Sequence, residues 1–189
     1  LLMNTEVYRI ERKLKALEKV ASKSTVSGVL ETLTAKKFDD FMRPMGLRFF
    51  SMHTTSSGEA IIFTLVREAK PISYVITPPL VLRIIYSYNR DHSTYHLHST
   101  KAMPLIYFNN INEYVHPHIN SGSDTFKSIC MGNYLDVLRA SKVPSTFSNW
   151  QDHVLLLDQL LSTYNPDSPY IGISELASHM RSNGYHINE

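Results

Sequence analysis

The sequence predicts one α+β domain in which the helices are segregated from an antiparallel sheet. Three observations predict this class. Helical periodicity occurs towards the two ends of the chain, and strand-like segments rich in β-branched and aromatic residues follow one another in the middle. No helical segment alternates with the strand-like ones, which disfavours a doubly wound parallel sheet.

Length and composition agree with a single globular domain. The chain has 189 residues, of which 43% are hydrophobic and 19% charged, enough apolar material for a core. The formal net charge is only +2, so the composition gives no sign of the concentrated basic face that nucleic acid requires. The single cysteine excludes an internal disulfide and a Cys-rich metal site, and it favours a reducing compartment.

Two helices are predicted before the sheet. Val7, Ile10, Leu14 and Leu17 recur at steps of three and four and define the apolar face of the first helix. The opposite face mixes charges, which fits a solvated surface or a basic face that docks an acidic partner. Its basic residues include Arg9, Arg12, Lys13 and Lys15. A second helix is predicted over 29–42, so that 1–45 form an N-terminal helical segment and 46–189 the core of the same domain.

A meander of four or five strands follows, and two helices end the chain. The strands are predicted over 47–53, 60–66, 72–76, 80–88 and 105–108. Residues 109–150 show no long periodic segment, and such a stretch inside a compact domain is often functional. Helices are predicted over 152–164 and 174–182, the first ended by the two prolines of 165–169.

The expected location is the cytoplasm. No run approaches the ~18 consecutive apolar residues of a membrane span. The first residues lack the basic residues, the long apolar run and the small-residue cleavage site of a secretory leader. No membrane partner is therefore expected.

Cys130 is the residue best suited to nucleophilic chemistry. It lies in a polar stretch after a His-Pro-His turn, although the neighbouring Ile129 and Met131 also fit a buried, inert thiol. A cysteine hydrolase would need a histidine base and a third group to orient that histidine. No protease signature flanks Cys130, so the residues alone leave its role open.

Two other functions are possible from the residues. The pairs His96 and His98, and His116 and His118, could hold zinc if they met, but no carboxylate stands at a convincing spacing, and we predict no metal. Aromatic residues in the strands could stack on single-stranded nucleic acid, although such residues more often pack in the core. The residues concerned are Tyr86, Tyr88, Tyr95, Tyr107 and Phe108, with Arg83 and Arg90 for phosphates.

The order of motifs between 114 and 170 is more specific. The chain has, in order, His116-Pro117-His118, Ile129-Cys130, Leu135-Asp136, Trp150 before a leucine-rich helix, and Asn165-Pro166-Asp167-Ser168-Pro169. This order resembles the ubiquitin-conjugating enzymes, whose active-site region reads His-Pro-Asn, an Ile-Cys-Leu-Asp-type segment, a tryptophan before a helix, and Asn-Pro-x-Ser/Asp-Pro. The resemblance implies their fold: an N-terminal helix, a four-stranded antiparallel meander, an active-site cysteine loop and C-terminal helices.

The chain also departs from the family pattern. His118 stands where the family has asparagine, and residues 131–134 separate the cysteine from the Leu-Asp pair. The proline-rich turn before the motif is not recognisable, and an extra helical segment precedes the sheet. These features are similar to the divergent stand-alone conjugating enzymes of bacterial ubiquitin-like operons, which implies a role in anti-phage defence.

The resemblance implies acyl transfer through a thioester. Cys130 would accept the C-terminus of a ubiquitin-like modifier from an activating enzyme and pass it to an amine of a protein substrate. His118, at the position of the family's asparagine, or Asn120 would stabilise the oxyanion, with His118 preferred. Asp167 or Ser168 would orient or deprotonate the acceptor lysine.

The remaining residues are implied to support the site or to bind partners. His116, Pro117 and Trp150 would support the cysteine loop, and the basic face of the first helix would dock the activating enzyme. No cofactor and no metal is implied for the chain. Two alternatives stay open: an inactive protein of this fold that binds the modifier, and a β-rich binding protein with a buried thiol.

Overall fold

The computed structural model describes residues 35–106 and 113–185. The predicted first helix with its basic residues, and the start of the predicted second helix, lie outside the described residues. Within them, four helices and a five-stranded antiparallel sheet confirm the predicted α+β class. Among these residues, no helix combines the length and the apolar character that a membrane crossing would need.

The elements follow in chain order. Helix α1 covers 35–42 and continues into a 3₁₀ turn, Arg43–Met45. The strands are β1 Leu47–Thr54, β2 Ala60–Arg67, β3 Lys70–Ile72, β4 Val75–Thr77, β5 Leu80–Asn89, β6 Thr94–Pro104 and β7 Lys127–Ser128. The later helices are α2 Met131–Ala140, α3 Trp150–Leu161 and α4 Ile173–Ser182, with a 3₁₀ turn Phe147–Asn149 before α3.

The main sheet has the strand order β1-β2-β5-β6-β7, with every neighbouring pair antiparallel. Strands β3 and β4 form a separate hairpin in the connection between β2 and β5. The predicted strand over 72–76 is therefore two short strands. The break falls at Ser73, whose positive φ of 54° is a turn conformation that a strand cannot contain.

Further elements also differ from the sequence prediction. Helix α3 covers Trp150–Leu161 and ends three residues before the predicted end at 164. Strand β6 occupies Thr94–Pro104, whereas 105–106 are not in a strand and 107–108 lie outside the described residues. Pairing with β5 along the whole of β6 outweighs the polar composition of its first half. Helix α2 lies inside the segment predicted to be irregular. Its first turn contains the poor helix formers Gly132 and Asn133. Two of its side chains, Tyr134 and Leu138, lie four residues apart and are buried, and they hold the helix against the core.

The core lies between one face of the sheet and the helices. Alternate residues of β2 and β5 are buried on this face, and Phe63 and Ile84 are 0% exposed. Trp150, at the start of α3, packs its ring against Phe38 and Phe41 of α1, with centroids 4.6 and 5.3 Å away. These contacts lie between α1, α3 and the sheet, so the predicted support of the cysteine loop by Trp150 stays a prediction.

Two tyrosines fix α3 to the rest of the core through His153. The Nε2 of His153 donates to the Pro144 carbonyl at 2.8 Å, so its Nδ1 accepts the hydroxyl of Tyr86 at 2.7 Å. Tyr134 of α2 donates to the His153 carbonyl at 2.5 Å. Tyr86 is fully buried in this contact and is therefore not available to stack on a nucleic-acid base.

Candidate active site

A short antiparallel ribbon brings the cysteine to the His-Pro-His turn. Ile119 bridges Ile129, and each is 1% exposed, so the ribbon is anchored in the core. The Cys130 N–H donates to the His118 carbonyl at 3.1 Å, and the Asn120 N–H donates to the Ser128 carbonyl at 3.0 Å. Cys130 therefore lies opposite His118, one residue beyond the bridge, at a point where the chain leaves the core.

Cys130 occupies a partly exposed position at the start of a helix. It is the N-cap residue of α2, with an extended backbone and no capping bond from its side chain, and the Tyr134 N–H donates to its carbonyl at 3.3 Å. A Cβ added at Gly132 would meet no atom within 4 Å, so the surface beside the first turn is open. The unpaired N–H groups of a first helical turn favour negative charge nearby. The position suits a thiol that must be reached by a partner.

His116 holds the turn from within the core. Its Nε2 donates to the Leu161 carbonyl at 2.7 Å, and its Nδ1 accepts the His118 N–H at 2.9 Å. Complete burial lowers the pKa of His116 to about 3, helped by the nearby charge of Arg67. The neutral ring therefore has one donor and one acceptor nitrogen, and both are used. These are the contacts that a turn-shaping residue needs.

His118 is buried against the connection between α3 and α4. Its ring is 0% exposed, stacks on Tyr164, and accepts the N–H of Asn165 at Nε2, at 3.0 Å. Burial lowers the pKa of His118, although the carbonyls of Thr163 and Ser168 oppose this shift. The ring is buried against the α3–α4 connection, and its Nδ1 has no hydrogen-bond partner among the described residues. This burial counts against a contact with a surface acyl group, and the oxyanion role of His118 stays a prediction.

Asn120 is exposed at the other end of the ribbon. Its Oδ1 accepts the N–H of Ser121 at 2.9 Å, and its amide nitrogen has no partner among the described residues. Asn120 lies opposite Ser128, so it is displaced from Cys130 by about two residues of strand, or ~6.6 Å. An oxyanion role for Asn120 stays a prediction.

The segment 165–170 is fastened to both parts of the site. Asn165 accepts the Asp167 N–H at Oδ1, at 3.0 Å, which shapes the turn. The Ser168 hydroxyl donates to Asn133 in the first turn of α2 at 2.8 Å, and the Tyr170 N–H donates to the Pro117 carbonyl at 2.8 Å. Asp167 is exposed on this segment. The three motif segments are therefore joined around Cys130.

Tyr170 is a site residue that the sequence did not indicate. It follows the last proline of the motif, its side chain is 40% exposed, and its hydroxyl has no hydrogen-bond partner within residues 35–106 and 113–185. Partial burial raises the pKa of the Tyr170 phenol, and the nearby Cys130 raises it further. The position directly after the motif is the only sequence signal that could have pointed to it.

Stability should fall between pH 6.5 and 5 because three buried histidines resist protonation. Burial lowers the pKa of His116, His118 and His153, whereas unfolded histidines titrate near ~6.5. In this window the unfolded chain binds more protons than the folded one. Each histidine therefore lowers the free energy of unfolding by up to about 1.4 kcal/mol for each pH unit. Urea denaturation at pH 7, 6 and 5 measures the effect.

Carboxylates should contribute little in this window. The lowered pKa of Asp39, for example, affects stability only near and below its ordinary value of 3.8. A free energy of unfolding that stays constant from pH 6.5 to 5 would contradict the assignment of neutral buried histidines.

Comparisons of the chain with protein-family models, with curated proteins and with solved structures found no match in any of the three.

Proposed function

We propose that this chain is a conjugating enzyme of a ubiquitin-like pathway, which carries the modifier as a thioester on Cys130. One observation carries the proposal. Three segments distant in sequence, namely the His-Pro-His turn, the cysteine and 165–170, are joined by hydrogen bonds around one partly exposed thiol. These are the segments on which the resemblance to the ubiquitin-conjugating enzymes rests.

The reaction has two acyl-transfer steps. In the first, the Cys130 sulfur attacks the thioester carbonyl that joins the modifier to the activating enzyme. A new C–S bond forms, and the thiolate of the activating enzyme leaves. In the second, an amine nitrogen attacks the carbonyl on Cys130, the C–N bond forms, and the C–S bond breaks. A thiol suits both steps, since it is a good nucleophile near neutral pH and a good leaving group.

The acceptor amine must lose its proton. A free lysine has a pKa near ~10.4, so its neutral form is scarce at pH 7 unless a nearby group accepts the proton. Asp167 is an exposed carboxylate on the segment that is fastened to the cysteine loop, which supports its role as that acceptor. The Ser168 hydroxyl is engaged by Asn133, which favours a positioning role for Ser168.

The partners follow from the same proposal. They are a ubiquitin-like modifier, an activating enzyme that spends the ATP, and a protein substrate with an acceptor amine, in a bacterial anti-phage defence pathway. The partial exposure of Cys130 counts against a binding protein with a buried thiol. An inactive protein that only binds the modifier is the remaining alternative.

Reconstitution tests the proposal against that alternative. The wild-type chain is mixed with the modifier, the activating enzyme and ATP, and is analysed on a non-reducing gel. We expect an ATP-dependent adduct that disappears when reductant is added. If the activating enzyme forms its own thioester with the modifier but this chain forms no adduct, the result supports an inactive protein that only binds the modifier.

A further inference from the structure

Within the described parts of the chain, the hydroxyl of Tyr170 has no hydrogen-bond partner, and the backbone of Tyr170 is bonded to the turn that also holds Cys130. The Tyr170 N–H is bonded to the Pro117 carbonyl at 2.8 Å, and the Cys130 N–H is bonded to the next carbonyl, that of His118, at 3.1 Å. The two residues are thus held by consecutive peptide groups of one buried turn. Both side chains are partly exposed, and they are near enough to interact electrostatically.

The two donors indicated by the sequence are less suitable. The His118 ring is buried and faces the α3–α4 connection, where it accepts the Asn165 N–H. Asn120 lies opposite Ser128, which displaces it along the ribbon from Cys130. The site therefore needs a different group if a side chain is to stabilise the charge that develops on the acyl oxygen.

We propose that the Tyr170 hydroxyl donates a hydrogen bond to the carbonyl oxygen of the acyl group on Cys130 and stabilises the oxyanion during transfer. The inference rests on the proposed function, since it requires an acyl group on that sulfur. When the amine nitrogen attacks, the carbonyl oxygen gains negative charge, and the phenol stabilises this charge without giving up its proton. As the C–S bond breaks, the charge leaves on the Cys130 sulfur, and the proton of the amine passes to Asp167 or to water.

The ionisation of the phenol agrees with this role. The pKa of Tyr170 is raised, so the phenol keeps its proton throughout the neutral range and remains a donor. Removing one oxyanion donor from an enzyme costs about 10²–10³-fold in rate where the site is dry. Because Tyr170 is partly exposed to water, we expect a smaller loss, about 10- to 100-fold.

A small acyl thioester tests the inference without any partner protein. The intact chain is incubated with the 2-mercaptoethanesulfonate thioester of N-acetylglycylglycine, and acylation is followed by intact mass. After the excess thioester is removed, free lysine is added, and the rate at which Cys130 loses its acyl group is measured with correction for hydrolysis. We expect Tyr170→Phe to form the acyl adduct and to transfer it about 10- to 100-fold more slowly than the wild type.

A matched variant controls for the loss of a phenol as such. Tyr88 is 41% exposed and lies in β5, remote from the site in the fold, so Tyr88→Phe should transfer at the wild-type rate. Tyr170→Phe keeps the ring and the N–H bond to Pro117, and its melting temperature should match that of the wild type. The difference in rate therefore reports the hydroxyl alone.

The outcomes separate this inference from the proposed function. If Tyr170→Phe transfers the acyl group at the wild-type rate, the proposed role of Tyr170 is wrong. The acylation of Cys130 would still support the proposed function. If the wild type gains no more acyl mass than Cys130→Ala, Cys130 is not the acyl carrier, and the inference fails together with the proposed function.

Discussion

Cys130→Lys should form an adduct with the modifier that survives reductant, and Cys130→Ala should form none. A thioester to cysteine is cleaved by excess thiol, whereas the amide that lysine forms is not. Because a lysine with pKa near ~10.4 is mostly protonated, loading of the lysine variant should be slow and should accelerate as the pH rises from 7 to 9. Reducing and non-reducing gels of the reconstituted reaction give the readout.

Both substitutions should leave the fold intact. The Cys130 side chain makes no capping hydrogen bond and is partly exposed, so neither variant removes a buried contact of the α2 N-terminus. Melting temperatures within a few degrees of the wild type are expected. An adduct of undiminished yield on Cys130→Ala would place the acyl group on another residue and would remove the basis of the proposed function.

The parts of the fold that the sequence predicts are those with strong local periodicity. Helices α3 and α4 repeat apolar residues at helical spacing, and β1, β2 and β5 are rich in apolar residues, many of them β-branched or aromatic. Each boundary of β1, β2 and β5 agrees with the prediction within one residue. In contrast, β6 owes its conformation to pairing with β5, and α2 is held by the burial of two residues. These are long-range effects that a local pattern does not contain.

The same distinction applies to the site. The cysteine and the His-Pro-His turn are visible as motifs, because a motif is a property of adjacent residues. The direction of the His118 ring depends on an N–H group of Asn165, 47 positions away, and a pattern of residues cannot supply it. A backbone bond to Pro117 brings Tyr170, at the end of the motif, back to the His-Pro-His turn, and the sequence does not contain this contact. Position in sequence therefore identifies the candidate nucleophile better than it identifies the groups around it.

A buried charge network fastens α3 to the sheet beneath this turn. Arg67 at the end of β2 has a side chain that is 0% exposed, and its Nε donates to Asp158 of α3 at 3.0 Å. Its other nitrogens donate to Thr77 and Ser162, and Lys70 donates to Asp158 at 2.8 Å. A buried guanidinium without a partner would be very costly in free energy, so the stability of the network depends on the carboxylate of Asp158.

Asp158→Ala should therefore cost about 3–5 kcal/mol of the free energy of unfolding, because it leaves the buried Arg67 charge without its ion-pair partner. Urea denaturation measures the loss. Asp136→Ala is the matched control, since its pair with Arg139 is 73% exposed on both sides and should contribute no more than about 0.5 kcal/mol. If the loss comes from an uncompensated charge rather than from lost volume, the double variant Arg67→Met with Asp158→Leu should recover most of it. An Asp158→Ala protein within about 1 kcal/mol of the wild type would mean that water reaches Arg67 and that other contacts hold α3 against the His-Pro-His turn.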